Sequence, residues 1–209
     1  MKGQTSLGEA DTSDMTALTE RFDEALVFAR RRHQGQFRKS TAIPYVAHLL
    51  STAALVLEAG GDEDMAIAGL LHDALEDRDY TKASYEELVH LFGERVAGIV
   101  RDCSDAEPKE GEEKENWRPR KERYLTGLAH HPDDSLLVSN ADKLHNARSI
   151  LADYRLHGEA LWSRFTAGGE DQLWYYRSLA ALFHDRGTPL AAELERAVTE
   201  LEKLVSSNR

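Results

Sequence analysis

The chain has 209 residues, 41% of them hydrophobic and 30% charged, with a formal net charge of −11. That length suits one globular domain with a substantial core, and so acidic a surface argues against sequence-independent binding to nucleic acid. Cys103 is the one cysteine, which rules out an internal disulfide and fits a reducing compartment. No run approaches the ~18 apolar residues of a membrane span. Residues 1–14 carry acids and no apolar h-region, so they read as a disordered lead-in rather than a signal peptide, and a cytoplasmic protein is expected.

The periodicity is helical nearly throughout. Leu18, Phe22, Ala25, Leu26 and Ala29 form one apolar stripe and predict a helix over 16–33. Gly35 and Pro44 then break the pattern in QGQFRKSTAIP, which reads as a loop. A second helix starts near Tyr45 and stops at Gly60-Gly61. A third begins after Asp62, a candidate N-cap, and continues through LLHDALED, residues 70–77. Ser84-Tyr85-Glu86-Glu87 is a capping-box pattern opening a short helix that ends near Phe92-Gly93, and another covers 94–103. Residues 104–118, SDAEPKEGEEKENWR, are dense in charge and read as a surface loop that splits the sequence but not the fold. Further helices are predicted over 119–130, from a cap at Asp133 or Asp134 to about 157, and over 170–186 and 190–206, with a turn at Gly168-Gly169. With no strand alternation and no internal repeat, the expectation is an all-α single domain over 15–206.

LLHDALED sets His72, Asp73, Glu76 and Asp77 among Leu70, Leu71 and Leu75. Unpaired charges buried in such a run cost several kcal/mol. Continued as a helix, the run places Glu76 one turn beyond His72 and Asp77 one turn beyond Asp73, giving two stacked polar rows. A divalent cation would compensate the carboxylates beside a neutral imidazole. His48 in PYVAHLL and Asp142 in SNADKLHNARS are likewise polar among apolar neighbours, on helices able to flank the third. Each alone has a plain structural reading: a satisfied core histidine for His48, and pairing with Lys143 or Arg148 for Asp142. Together, His48, His72, Asp73 and Asp142 make a mixed nitrogen–oxygen set suited to manganese, zinc, iron or cobalt.

RRRHQGQFRK, 30–39, reads as the only dense positive patch. Arg30, Arg31 and Arg32 suit a helix C-terminus, whereas Arg38 and Lys39 follow Gly35 and read as ligand contacts. The Arg38 guanidinium can stack on a purine, and Arg148 is a further cation candidate. Trp174, Tyr175 and Tyr176 stand at helical spacing and read first as core.

Four segments, HQGQFRKSTAIPYVAHLL (33–50), AGLLHDALEDRDYT (68–81), EELVHLFGERVAGIV (86–100) and VSNADKLHNARSI (138–150), resemble the hydrolase domain of RelA/SpoT-type alarmone enzymes, within the HD superfamily of metal phosphohydrolases. They keep that family's order across about 20–180. The remaining residues cannot hold a synthetase domain, so the likeness is to the small single-domain hydrolases. The resemblance implies an all-α HD bundle with a metal site between helices, ligated by His48, His72, Asp73 and Asp142, with manganese the usual ion. It implies that Glu76 and Asp77 activate the attacking water, that Arg38, Lys39 and Asn146 contact the nucleotide, and that Ser149 and Tyr176 line the nucleoside pocket. His33 matches a motif histidine that is not a ligand and is expected to hold the loop. Arg78 replaces the family's usual threonine, Arg101-Asp102-Cys103-Ser104 replaces a V-T-K element, and an acidic insert follows. These departures lie near the substrate mouth and bear on substrate identity.

The implied activity is that of a metal-dependent 3′-pyrophosphohydrolase of hyperphosphorylated purine nucleotides, (p)ppGpp or adenosine analogues, releasing pyrophosphate. Its partner is a small molecule, with neither nucleic acid nor membrane expected and the oligomeric state open. The alternatives are an HD-type phosphohydrolase of another nucleotide or NADPH, and a nucleotide sensor without turnover. The full metal and acid set weakens the sensor alternative.

Overall fold

The computed structural model of the chain describes residues 16–76, 83–105 and 116–208. The lead-in 1–14, Asp77, Arg78 and most of the charged stretch 104–118 fall outside these. Within them the elements are α1 (Glu20–Arg32), α2 (Val46–Glu58), α3 (Glu63–Leu71), α4 (Tyr85–Phe92), α5 (Glu94–Cys103), α6 (Trp117–Leu128), α7 (Asp133–His157), a 3₁₀ turn over Gly158–Arg164, α8 (Gly169–Asp185) and α9 (Ala191–Ser207). The only strand-like pairing among the described residues is one bridge between Phe37 and Pro44. It closes a small hairpin in the 33–44 loop, where the Arg38 amide donates to the Ile43 carbonyl at 2.8 Å and the Tyr45 amide to the Gln36 carbonyl at 2.9 Å. No helix among the described residues is long and apolar enough to cross a membrane.

Side-chain caps mark three of the helix starts, at Thr19, Asp62 and Ser84. The Asp62 carboxylate accepts from the Met65 amide at 3.0 Å and caps α3, and the Ser84 hydroxyl accepts from the Glu87 amide at 3.1 Å and caps α4. Two expectations need correction. α7 starts behind Pro132, and Asp133 and Asp134 occupy its first turn without capping it, where their charge still suits the helix dipole. α3 ends at Leu71, not Asp77, and residues 72–75 form turns closed by Ala74 N to Leu71 O and Glu76 N to Asp73 O. His72, Asp73 and Glu76 are therefore presented by a tight turn rather than stacked on a helix face.

The core is organised around α7, which packs against α2, α3, α5, α8 and α9. Its residues 135–142 are all buried, as expected of a helix surrounded on every side. Ser135 donates to Asp102 at 2.7 Å there, and Thr188 donates to the Asn140 side-chain carbonyl at 2.6 Å. α2 crosses α3 at Gly69, where an added Cβ would stand 3.1 Å from Ala53 Cα and 3.3 Å from its nitrogen. Glycine permits this approach without displacing the neighbouring backbone, and the crossing brings His48 on α2 beside His72 at the end of α3.

Candidate metal centre and cleft

Three elements bring candidate donors together: the ligand atoms of His48, His72 and Asp73 lie within 4.8 Å of one another, and Asp142 stands beside the two imidazoles. His48 comes from the first turn of α2, His72 and Asp73 from the turn after α3, and Asp142 from the buried stretch of α7. The two Nε2 atoms of His48 and His72 are 3.2 Å apart. Asp73 Oδ2 lies 3.2 Å from His72 Nε2 and 4.0 Å from His48 Nε2. Asp142 Oδ1 lies 3.1 Å from His48 Nε2 and 3.5 Å from His72 Nε2. An ion bonded at ~2.1 Å sets adjacent donors about 3.0 Å apart in an octahedron and about 3.4 Å apart in a tetrahedron, so His48, His72 and Asp73 could hold a first-row divalent metal, with Asp142 3.1 and 3.5 Å from the two imidazoles as a further candidate.

The outer faces of both imidazoles support that fit. His72 Nδ1 donates to the Gly69 carbonyl at 2.9 Å, so in the neutral ring, the form that binds a metal, Nε2 carries the lone pair. His48 Nδ1 lies 2.8 Å from His145 Nδ1. Burial, with His48 and Arg38 nearby, pushes the His145 imidazole down to about 4, so at neutral pH it can accept from His48 Nδ1–H and leave His48 Nε2 facing the cluster. Second partners of this kind fix the tautomer of metal-bound histidines. The Tyr45 hydroxyl donates to Asp73 Oδ2, and the Lys143 ammonium pairs with Asp142 Oδ2.

Charge is heavily compensated here. Burial opposes a proton on His72, but Asp73 and Asp142 outweigh it and hold that imidazole well above its usual range. Burial pushes the Asp142 carboxyl up, yet Lys143 and the histidines hold it well below the usual carboxylate range. Asp73 is lowered in the same way: burial raises it, and His72 chiefly outweighs that. Two buried carboxylates thus demand nearby positive charge, which a divalent ion supplies.

The centre forms the floor of a cleft of about 830 Å³. Of the residues anticipated from sequence, Arg38, Lys39, Glu76, Asn146, Ser149 and Tyr176 all line it, as do His48, Asp73 and Asp142. His72 is buried behind them, and Asp77 lies outside the described residues. Arg38 donates to Asn146 Oδ1 at 2.8 Å, and Asn146 donates in turn to Asp142 Oδ1 at 2.6 Å, a relay joining the hairpin to the metal centre. Lys39 is exposed, its ammonium 6.0 Å from the Phe165 ring centroid. Ser149 donates to the His145 carbonyl at 2.9 Å. Tyr176 is 6% exposed, and burial raises its phenol. His33 holds the hairpin through Gln36 at 2.8 Å and stacks on Tyr45. Arg148 does not reach the cleft wall; it pairs with Glu193.

Several cleft residues escape the sequence reading. Tyr45, Lys143 and His145 sit inside PYVAH and ADKLHN, so the motifs held the signal. A second basic run, Arg118, Arg120, Lys121 and Arg123, corrects the view of 30–39 as the only such patch. Of these, Arg120 and Lys121 line the cleft beside Trp117, and Tyr175 does so from α8.

Residues 25–168 match the family described as HD domain. The chain is 35% identical over 133 residues to the Drosophila melanogaster guanosine-3′,5′-bis(diphosphate) 3′-pyrophosphohydrolase MESH1, covering 62% of this chain and 69% of that protein. It is also 35% identical over 133 residues to the Aquifex aeolicus guanosine-3′,5′-bis(diphosphate) 3′-pyrophosphohydrolase, where the match covers 63% of this chain but only 18% of the bacterial protein. The fold is similar to the solved structure of a metazoan ortholog of SpoT that hydrolyses ppGpp, with TM-score 0.66 and 28% identity over 90% of this chain and 97% of that one. It is similar as well to a protein of Listeria monocytogenes EGD-e, with TM-score 0.65 and 27% identity over 75% of this chain and 99% of that one. With an all-α bundle, an HD pair at its centre and a family match spanning most of its length, this chain belongs to the HD domain family.

Proposed function

We propose that the protein is a metal-dependent 3′-pyrophosphohydrolase of hyperphosphorylated purine nucleotides, guanine or adenine based, with manganese as its ion. One observation carries the reading. His48, His72 and Asp73 cluster within 4.8 Å, with Asp142 beside both imidazoles, at a cleft that also presents Glu76 and the cations Arg38, Lys39 and Lys143. The relatives named as 3′-pyrophosphohydrolases support the choice of substrate.

When bound, a divalent ion polarises a phosphoryl oxygen and lowers the pKa of a water. Glu76, on the cleft wall three residues beyond Asp73, accepts the water's proton and orients it, with Asp77 as its neighbour in that role. Tyr45 fixes the Asp73 carboxylate, and His145 fixes the His48 ring. Arg38, positioned by Asn146, offsets phosphate charge and offers a flat guanidinium to the purine. Lys39 adds a mobile cation at the mouth, and Ser149 and Tyr176 close the nucleoside side.

The test is pyrophosphate release from guanosine and adenosine 3′,5′-bis(diphosphates) by manganese-loaded protein. Turnover of at least one, lost in Glu76→Gln while nucleotide binding persists, supports the reading. Cleavage only of other phosphoesters or of NADPH, or binding with no turnover of any, overturns it.

A further inference from the structure

Arg38, Lys39 and Lys143 serve the metal side of the cleft, the purine and the mouth, yet the cleft has a second charged wall with no part in that chemistry. α6 contributes Arg120 and Lys121, and both donate to the same oxygen, Oδ2 of Asp105. The three side chains are only 14%, 14% and 9% exposed. Two cations against one carboxylate leave excess positive charge where little water reaches. Burial lowers the Lys121 ammonium despite the pull of Asp105.

Hydrogen bonding on this wall is incomplete. Among the described residues, Asp105 Oδ1, Arg120 Nε and the Tyr175 hydroxyl are buried without a partner, and all three residues line the cleft. A buried polar atom left unpaired is costly, and folded proteins carry few of them. Three on one wall of a ligand-sized cleft point to a ligand. The chemistry is directional. Arg120 Nε and the Tyr175 hydroxyl are donors, and Lys121, 4.7 Å from the Tyr175 ring centroid, brings ammonium protons to the same patch. A multiply charged oxyanion satisfies all of them. Asp105 occupies that position through one oxygen only and leaves the other unsatisfied, as an internal stand-in would.

We propose that Arg120, Lys121 and the Tyr175 hydroxyl form a second anion subsite that takes the 5′ phosphates of the nucleotide, displacing Asp105, while the 3′ end lies at the metal centre. The identity of the anion rests on the 3′-pyrophosphohydrolase reading; the subsite itself rests on the wall just described. It would make the protein select nucleotides phosphorylated at both ends.

The experiment compares binding of guanosine 5′-diphosphate and guanosine, with the adenosine pair alongside, to manganese-loaded protein by calorimetry. The wild type should prefer the diphosphate. Arg120→Gln with Lys121→Gln should reduce that preference by about tenfold or more, the loss expected for charge-assisted hydrogen bonds. Asp105→Asn removes the competing carboxylate and should raise the preference. In turnover, the double variant should raise KM for the 3′,5′-bis(diphosphate) far more than for the 3′-diphosphate lacking 5′ phosphates. Nucleoside binding reports whether each variant keeps its cleft. An unchanged preference in the double variant overturns the subsite, as does Asp105→Asn weakening the diphosphate as much as the double variant does, which would make the cluster a structural brace. If the binding preferences behave as stated but no 3′-diphosphate is cleaved, the subsite stands and the hydrolase reading fails. If cleavage proceeds with 5′ selectivity unmoved in the double variant, the reverse holds.

Discussion

Replacing Gly69 by alanine tests whether the close crossing of α2 and α3 builds the metal centre. The new Cβ would stand 3.1 Å from Ala53 Cα and 3.3 Å from Ala53 N. Both are backbone atoms of a packed helix and cannot swing aside, so the helices must part by several tenths of an ångström. Such overpacking costs about 1–3 kcal/mol. Against it stands the better helix propensity of alanine, worth about 1 kcal/mol. Gly98, inside α5, supplies the control, because a Cβ there meets nothing within 4 Å. Gly98→Ala should therefore raise Tm, and Gly69→Ala should fall below it by the crossing cost alone. At about 2 kcal/mol that is a gap of about 4–8 °C for a domain of this size. The same shift moves His48 away from His72, and it disturbs the Gly69 carbonyl that accepts from His72 Nδ1. Manganese affinity should accordingly fall in Gly69→Ala and hold in Gly98→Ala. Thermal unfolding and metal titration of both variants give the answer. Equal gains in Tm with equal metal affinity would refute the claim that this contact positions the site.

Three further outcomes follow from the same geometry. His145→Phe keeps a ring beside His48 but removes its Nδ1 partner, and should weaken metal binding by about 10–100-fold with little change in fold by circular dichroism. Asp142→Ala strips the buried Lys143 of its carboxylate as well as removing a proposed ligand, and should destabilise the protein by about 3–5 kcal/mol in urea unfolding. Asp62→Ala removes the α3 cap and should cost about 1 kcal/mol, while Asp62→Asn keeps most of it. The Asp62 carboxyl is raised by burial but lowered further by the Met65 amide and Arg95, with a net depression. Its stabilisation is thus present above the ordinary carboxylate pKa and is lost as pH falls through the depressed one, so the gap between wild type and Asp62→Ala should narrow in acid.

Much of the architecture is legible because helix signals are local. The apolar stripe of α1, the Asp62 and Ser84 caps and the Gly60-Gly61 stop all act within a few residues, and most elements stand within a few residues of their predicted spans. The end of α3 is different. LLHDALED holds no glycine or proline, and nothing local halts a helix there. The turn at 72–75 is held by long-range contacts, including Ala83 N to Ala74 O and the Tyr45 bond to Asp73, which a residue pattern does not display. Convergence of the histidines and aspartates is readable only as a joint pattern, since each has an ordinary explanation alone. The basic wall of α6 is hidden for a similar reason: a charge run reads as a solvated face, and only packing of α6 against α8 encloses Arg120 and Lys121 within the cleft.

The central claim is that two imidazoles and two carboxylates, from α2, the turn after α3, and α7, hold one divalent ion. Pulsed electron paramagnetic resonance of the manganese-loaded protein tests it most directly. One saturable ion per chain should show coupling to nitrogen from both histidines, with His48→Ala and His72→Ala each removing one source. A bound ion without histidine nitrogen coupling, or coupling that survives both substitutions, would contradict it.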